Sequence, residues 1–200
     1  MKKIAFSLLA LSLFSTAPVF ADTPTPVPAA IAGHHGPIRI TVIRNLGSDD
    51  NTTQFVAGAI KQARKLGFKV NTFLSNGDDA RFQDFVNQAI TQKYDGIILS
   101  QGRAPYSEDL VKRITQAGIA VSVFDTAVPD TLPGVTVTRQ DDASLTDMSV
   151  GQLVKDFPGK ANIVKLWVAG FPPLDRRGKE SQQVLKQKPG IKRRRASWRE

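Results

Sequence analysis

The 200-residue chain contains no cysteine and only two histidines, the adjacent pair His34 and His35. Without cysteine there can be no thiol nucleophile, no cysteine-ligated zinc and no disulfide, so stability has to come from a hydrophobic core. Two neighbouring histidines could chelate a metal, but they offer no third ligand and no second shell. An incidental solvated pair is the expectation. Both sit in an amino-terminal leader, which leaves the folded part without histidine. There is no GxGxxG and no GxxxxGK followed by Ser or Thr, so loops that cradle nucleotide phosphates are not supported. No cofactor and no metal are expected, and a familiar pairing of nucleophile with histidine base is missing. Binding is expected rather than catalysis.

Positive charge is abundant, at net +9, but it is unevenly placed. Residues 176–200 hold ten basic and two acidic residues, Met1 to Lys3 add two lysines, and the stretch between has fifteen basic against sixteen acidic. A nucleic-acid-binding domain should spread Lys and Arg over a folded face so that several phosphates are neutralised together. No such face can be traced outside the last 25 residues, and no nucleic-acid partner is expected.

The opening MKKIAFSLLALSLFSTAPVFA, residues 1–21, has two lysines, an apolar stretch and small residues before Asp22. It reads as a secretory signal peptide, with export to the periplasm. Ser, Thr and Pro18 interrupt it before the about 20 apolar residues of a membrane-spanning helix are reached. Residues 22–36, DTPTPVPAAIAGHHG, carry three prolines and no period, and read as a flexible leader.

From Pro37 short β-branched runs alternate with amphipathic ones. IRITVIR, FKVNTFL, DGIILS, IAVSVFD, GVTVT and ANIVKLWVA read as strands. Helices fall between them. The first places Phe55, Val56, Ala59, Ile60, Ala63 and Leu66 on one stripe and stops at Gly67; later ones run from about Ala80, Ser107, Ala143 and Leu174. The alternation predicts an α/β fold of right-handed βαβ units, with a parallel sheet flanked by helices and buried on both faces. The ligand of such a sheet sits beyond the carboxyl ends of its strands. Those ends read Arg44-Asn45 with the loop Leu46 to Asn51, then Ser75 to Asp79, then Ser100-Gln101-Gly102, then Asp125-Thr126. The rim is rich in hydroxyls, amides and carboxylates.

These segments, with YDGIILSQG, GIAVSVFDTAV, QDDASLTDMSVGQLV and AGFPPLDRRG, resemble the type I periplasmic sugar-binding proteins, soluble receptors of ABC importers related to ribose-binding protein. The resemblance runs from about Ile38 to Pro189. It implies that Asp125 accepts hydrogen bonds from sugar hydroxyls, against the plainer role of a solvated loop residue. Arg177 stands where the family has an arginine that bridges a ring oxygen and a hydroxyl, while Arg176 is expected to be a solvated helix start. Asp142 resembles the aspartate of the segment crossing between lobes, with Asp141 and Gln140 competing for that role. Arg44, Ser48 and Asp49 are candidates to touch ligand, because Asn51 with Gln54 makes a capping pair for the first helix. Ser100 and Gln101 could bind ligand or cap the next turn. The family's stacking aromatics after strand one are missing here, so any stacking falls to Phe171 or Trp167, and Trp167 reads as core.

Expected domains are the signal peptide at 1–21, the leader at 22–36, a first α/β lobe at 37–137, nearly complete, and the start of a second at 138–190. A disordered basic tail is expected at 191–200, because RRRASWRE offers no Val and Ile run for a further strand. This predicts a truncated, frame-shifted or split product with impaired binding, in which Ile163, Val164, Leu166 and Trp167 lack packing partners. The expected function is a monomeric periplasmic receptor that delivers a sugar or sugar-like ligand to the membrane subunits of an ABC importer. The alternative is a single-lobe α/β enzyme using Asp125 or Asp49 as acid or base. A lactose-repressor type regulator is disfavoured, since a signal peptide occupies the place of its DNA-binding head.

Overall fold

The computed structural model describes residues 34–166, 168 and 170–194, the last two by backbone alone. The signal peptide, residues 22–33 of the leader, Trp167 and the end of the basic tail lie outside the described residues. The elements in chain order are β1 (Arg39–Arg44), α1 (Asp50–Lys65), β2 (Lys69–Leu74), α2 (Asp79–Thr91), β3 (Gly96–Ser100), α3 (Ala104–Gln116), β4 (Ala120–Phe124), β5 (Val135–Thr138), α4 (Asp142–Asp156), β6 (Ala161–Val164), α5 (Pro172–Lys186) and β7 (Ile191–Arg194). The first five strands form one parallel sheet in the order β2-β1-β3-β4-β5, and β6 and β7 form a second.

Helix starts follow local chemistry. Asp49, Asp78 and Asp141 cap α1, α2 and α4 by accepting from the backbone N–H of Thr52, Arg81 and Ser144. Helices α3 and α5 instead carry proline within their first two positions, where its missing N–H needs no partner. The expected Asn51–Gln54 capping pair is thus corrected: Asp49 takes the cap, and the Asn51 amide oxygen faces Arg44.

The core lies on one side of the first sheet. Ile43, Leu99 and Val123 are fully buried against Phe82, Val86 and Ala89 of α2 and Leu110, Val111 and Ile114 of α3. The other side is less sealed. Of the stripe expected on α1, only Ala63 is buried, while Phe55, Val56, Ala59 and Ile60 are half-buried. The expectation of a sheet buried on both faces is met fully on the α2/α3 side alone.

Residues 191–194 correct the expectation of a disordered tail. They pair in parallel with β6, Ala161 opposite Ile191 and Val164 opposite Arg194. A ladder is made by backbone groups, so one buried apolar residue, Ile191, anchors a strand whose other positions are basic. Gly190 permits the approach, since a Cβ there would run into the Gly159 carbonyl oxygen. Of the residues expected to lack packing partners, Val164 and Leu166 stay exposed, at 60% and 74%, while Ile163 is half-buried.

His34 also departs from the expected solvated pair. Its Nε2 lies 2.9 Å from Asp95 Oδ1, while Asp95 Oδ2 accepts from the Arg39 N–H at 2.7 Å, so the imidazole docks beside the start of β1. Hydrogen bonds to Asp95 and to the Gly36 carbonyl raise its pKa above the ordinary 6.5. The contact therefore stabilises the fold fully below pH 6.5 and is lost as pH rises through the raised folded value. In Asp95→Asn the His34 ring protons, followed by NMR against pH, should show a midpoint lowered toward 6.5, with the Gly36 contact left in place. An unchanged midpoint would remove Asp95 as the cause.

Candidate functional site at the strand ends

Parallel pairing aligns the strand ends, with Arg44 opposite Leu74 on one side and Ser100 on the other, and Ser100 opposite Phe124. The chain reverses direction across the sheet between β1 and β3, which is where such sheets hold ligands. Three residues just beyond these ends adopt left-handed backbone without being glycine: Asn76 (φ +56°), Gln101 (φ +63°) and Asp125 (φ +49°). Such conformations persist only where surroundings enforce them. Gly102 follows in a buried turn, where a Cβ would come within 2.5 Å of Ser107 Oγ.

Arg44 does not present itself at the rim. Its side chain is fully buried, with Nε donating to Thr52 Oγ1 (2.9 Å), Nη1 to Ser100 Oγ (2.8 Å) and Nη2 to Asn51 Oδ1 (2.6 Å). The guanidinium lies 4.8 Å over the Phe55 ring, which stacks at 5.3 Å on Phe124. Burial works against its positive charge and lowers its pKa, with Asp49 and Asp125 opposing that effect. Thr52 relays the first of these, since its hydroxyl donates to Asp49 Oδ2 at 2.7 Å. Ser100 is thus spent on Arg44, and Asp49 on Thr52. Ser48 is exposed in the loop just before Asp49. Gln101 is buried, and its Oε1 has no partner among the described residues.

A second network gathers residues far apart in sequence. Asp125 is buried, with Oδ2 accepting from Gln140 Nε2 (2.7 Å) and Oδ1 from Arg176 Nη2 (2.5 Å) and the Gln140 N–H (3.3 Å). Asp142, also buried, accepts from Arg176 Nε at 2.6 Å and Arg177 Nε at 2.7 Å. Arg177 Nη2 closes the ring on Gln140 Oε1 at 2.8 Å. Of the three candidates in QDD, Gln140 and Asp142 both join and Asp141 caps α4. Arg176, expected at a solvated helix start, contacts both carboxylates. Phe171 stands half-buried at the α5 start, outside this ring. A cleft of about 450 Å³ adjoins Gln140, Asp142, Arg176 and Lys179.

On the other flank, Tyr106 donates to Asp79 Oδ1 at 2.7 Å, and Asn45 donates to the same oxygen at 3.2 Å. Burial first, and then the Asp79 carboxylate, push the Tyr106 hydroxyl pKa up. These contacts fix the turns after β1 and β2. Among the described residues no cluster of three or more His, Asp or Glu could hold a metal ion. The residues sequence reasoning missed are Arg176 and Tyr106, while Asn45 falls on the rim read from the sequence, without a role. Only Arg176 had a visible signal, two adjacent arginines facing a QDD segment of matching charge.

A parallel-sheet lobe carries converging carboxylates, amides and arginines at its strand ends and is joined through α4 to a second sheet. The chain belongs to the periplasmic binding protein domain family, whose profile matches residues 40–198. It is similar to a sugar ABC transporter protein from Yersinia enterocolitica, with 70% identity, a TM-score of 0.82, and coverage of 88% of this chain and 53% of that one. A 5-methylthioribose transporter solute binding protein from Thermotoga lettingae shares 34% identity at TM-score 0.75, covering 80% of this chain and 51% of that one. An ABC transporter solute binding protein from Agrobacterium vitis with bound allitol, at 22% identity and TM-score 0.73, covers 82% and 56% and shows the shared fold. The chain thus spans about half the length of the solved structures it matches. Among curated proteins, none matches.

Proposed function

We propose that this protein is the periplasmic solute receptor of an ABC-type sugar importer, binding a sugar or sugar-like polyol at the strand ends of the first sheet. It is exported by residues 1–21 and docks as a monomer on the importer's membrane subunits. The observation that carries the reading is Asp125, a buried carboxylate held in left-handed backbone at the end of β4 and reached by polar side chains from α5 and the segment before α4. Carboxylate oxygens accept vicinal hydroxyls well, and the arginine forks beside it suit ring and hydroxyl oxygens. Gln101, with its unpartnered buried oxygen, and Asp142 and Arg177 complete the proposed contacts. Arg44, Ser100 and Asp49 serve that site from behind, by holding its floor.

The relatives point the same way, one being a sugar ABC transporter protein and another a 5-methylthioribose transporter protein. The protein is read as a binder and not an enzyme. Asp49 has its pKa lowered by the Thr52 hydroxyl and N–H and is committed to capping α1, and Asp125 is committed to an arginine and an amide.

Calorimetric titration with pentoses, hexoses, 5-methylthioribose and allitol should give saturable binding of at least one, with no turnover. Asp125→Asn should weaken that binding by tenfold or more, since a charge-assisted hydrogen bond is worth about 1.5–3 kcal/mol. An unchanged affinity would remove Asp125 from the site.

A further inference from the structure

We propose that Arg176 is a positioning residue that latches the two sheets together: one guanidinium clamps Asp125 of the first sheet and Asp142 of α4, and so sets how far the crevice stands open. The inference rests on the receptor reading, because only a two-lobed receptor makes crevice opening part of its work.

The geometry separates Arg176 from its neighbour. Arg176 spans two carboxylates, Nε on Asp142 and Nη2 on Asp125, the latter 51 residues away. Arg177 bonds Asp142 and Gln140, both in the segment entering α4, and so ties α5 to α4. Removing Arg177 leaves the direct tie from α5 to the first sheet in place; removing Arg176 cuts that tie and leaves Asp125 held by Gln140 alone. Burial strengthens the case, since the side chains of Asp125 and Asp142 are 0% and 5% exposed, against 26% for Arg176. Two buried carboxylates sharing one cation would repel each other without it. The arrangement also needs a planar fork. An ammonium is a compact point charge and cannot present two donors at fixed angles to two separate carboxylates.

The latch enters binding directly. Gln140 and Arg176 already occupy Asp125, so a sugar hydroxyl donating to it must share the carboxylate with Arg176 or displace it.

The chain has no cysteine, so Gln116→Cys at the end of α3 and Gln183→Cys in α5, both exposed positions, can carry a unique pair of spin labels. Distances are measured by pulsed electron resonance without sugar. Arg176→Gln should lengthen the mean distance by more than about 2 Å and broaden its distribution, as hinge motions do, while Arg177→Gln stays like the parent. A distribution for Arg176→Gln that superimposes on the parent overturns the latch, as does an equal shift in both variants. If Arg176→Gln does not fold by circular dichroism, Arg176→Lys decides: an intermediate distance supports the latch and a parent-like one overturns it. Failure of both to fold also overturns it, in favour of a purely structural role. Sugar titration of the unlabelled parent is separate, and absence of binding there sinks the receptor reading while leaving the distance result standing.

Discussion

Asp142→Ala is expected to lower stability by about 3 kcal/mol, because it strips one carboxylate from two arginines at once. Asp142 is buried, and its two oxygens take the Nε donors of Arg176 and Arg177 separately. Deleting it leaves both guanidinium groups facing a low-dielectric wall with one partner fewer each. Water reaches them in part, since their side chains are 26% and 34% exposed, and this keeps the loss at the lower end of the range for broken buried pairs. Urea unfolding followed by circular dichroism should show the midpoint fall with little change in slope. Combining Asp142→Ala with Arg177→Met should cost less than the sum of the two, as residues in one network couple. Strict additivity would mean that the pair seen between them contributes nothing.

Phe82→Ala should be of similar or greater severity, about 3–5 kcal/mol. Phe82 is completely buried in α2, with its ring tilted against Tyr106 at 5.6 Å between centroids. It also lies under the buried turn at Gly102. The cavity left by alanine would therefore open beneath the β3–α3 turn, between the core and the strand ends. A thermal scan should show a drop on the order of 10 °C, and Phe82→Leu should recover much of it. A loss under about 1 kcal/mol would mean that the surrounding residues collapse into the space.

The course of the fold was legible because a parallel sheet imprints itself as alternation of short β-branched runs with 3.6-period stretches. IRITVIR and DGIILS could hardly be read otherwise. The site was legible only as a zone. Sequence puts Arg44 and Ser100 at strand ends, but their side-by-side pairing comes from sheet order, and that pairing draws the Arg44 guanidinium inward onto Ser100 instead of outward to a ligand. Asp49 and Asn51 both suit a helix cap, and which one takes it depends on where Arg44 leaves Asn51 occupied. Arg176 and Arg177 point about 100° apart on one helix turn. Only the placement of α5 against α4 decides which of them reaches Asp125. The strand at Ile191–Arg194 escaped notice for another reason: its pairing is written in backbone hydrogen bonds, which side-chain composition does not record.

The left-handed residues Asn76 and Gln101 set thermal robustness against specificity over evolutionary time. At each, glycine would relieve about 1 kcal/mol or more of backbone strain, whereas at Asp125 the same change would strip Arg176 and Gln140 of a buried partner. A population selected for heat tolerance alone should drift toward glycine at the first two positions, and would lose with each step a polar side chain at the mouth of the sheet. Gln101 would persist only while the proposed strand-end site is under selection. Its identity across natural variants of this chain is therefore a readout of whether that site is still in use, independent of how stable each variant is.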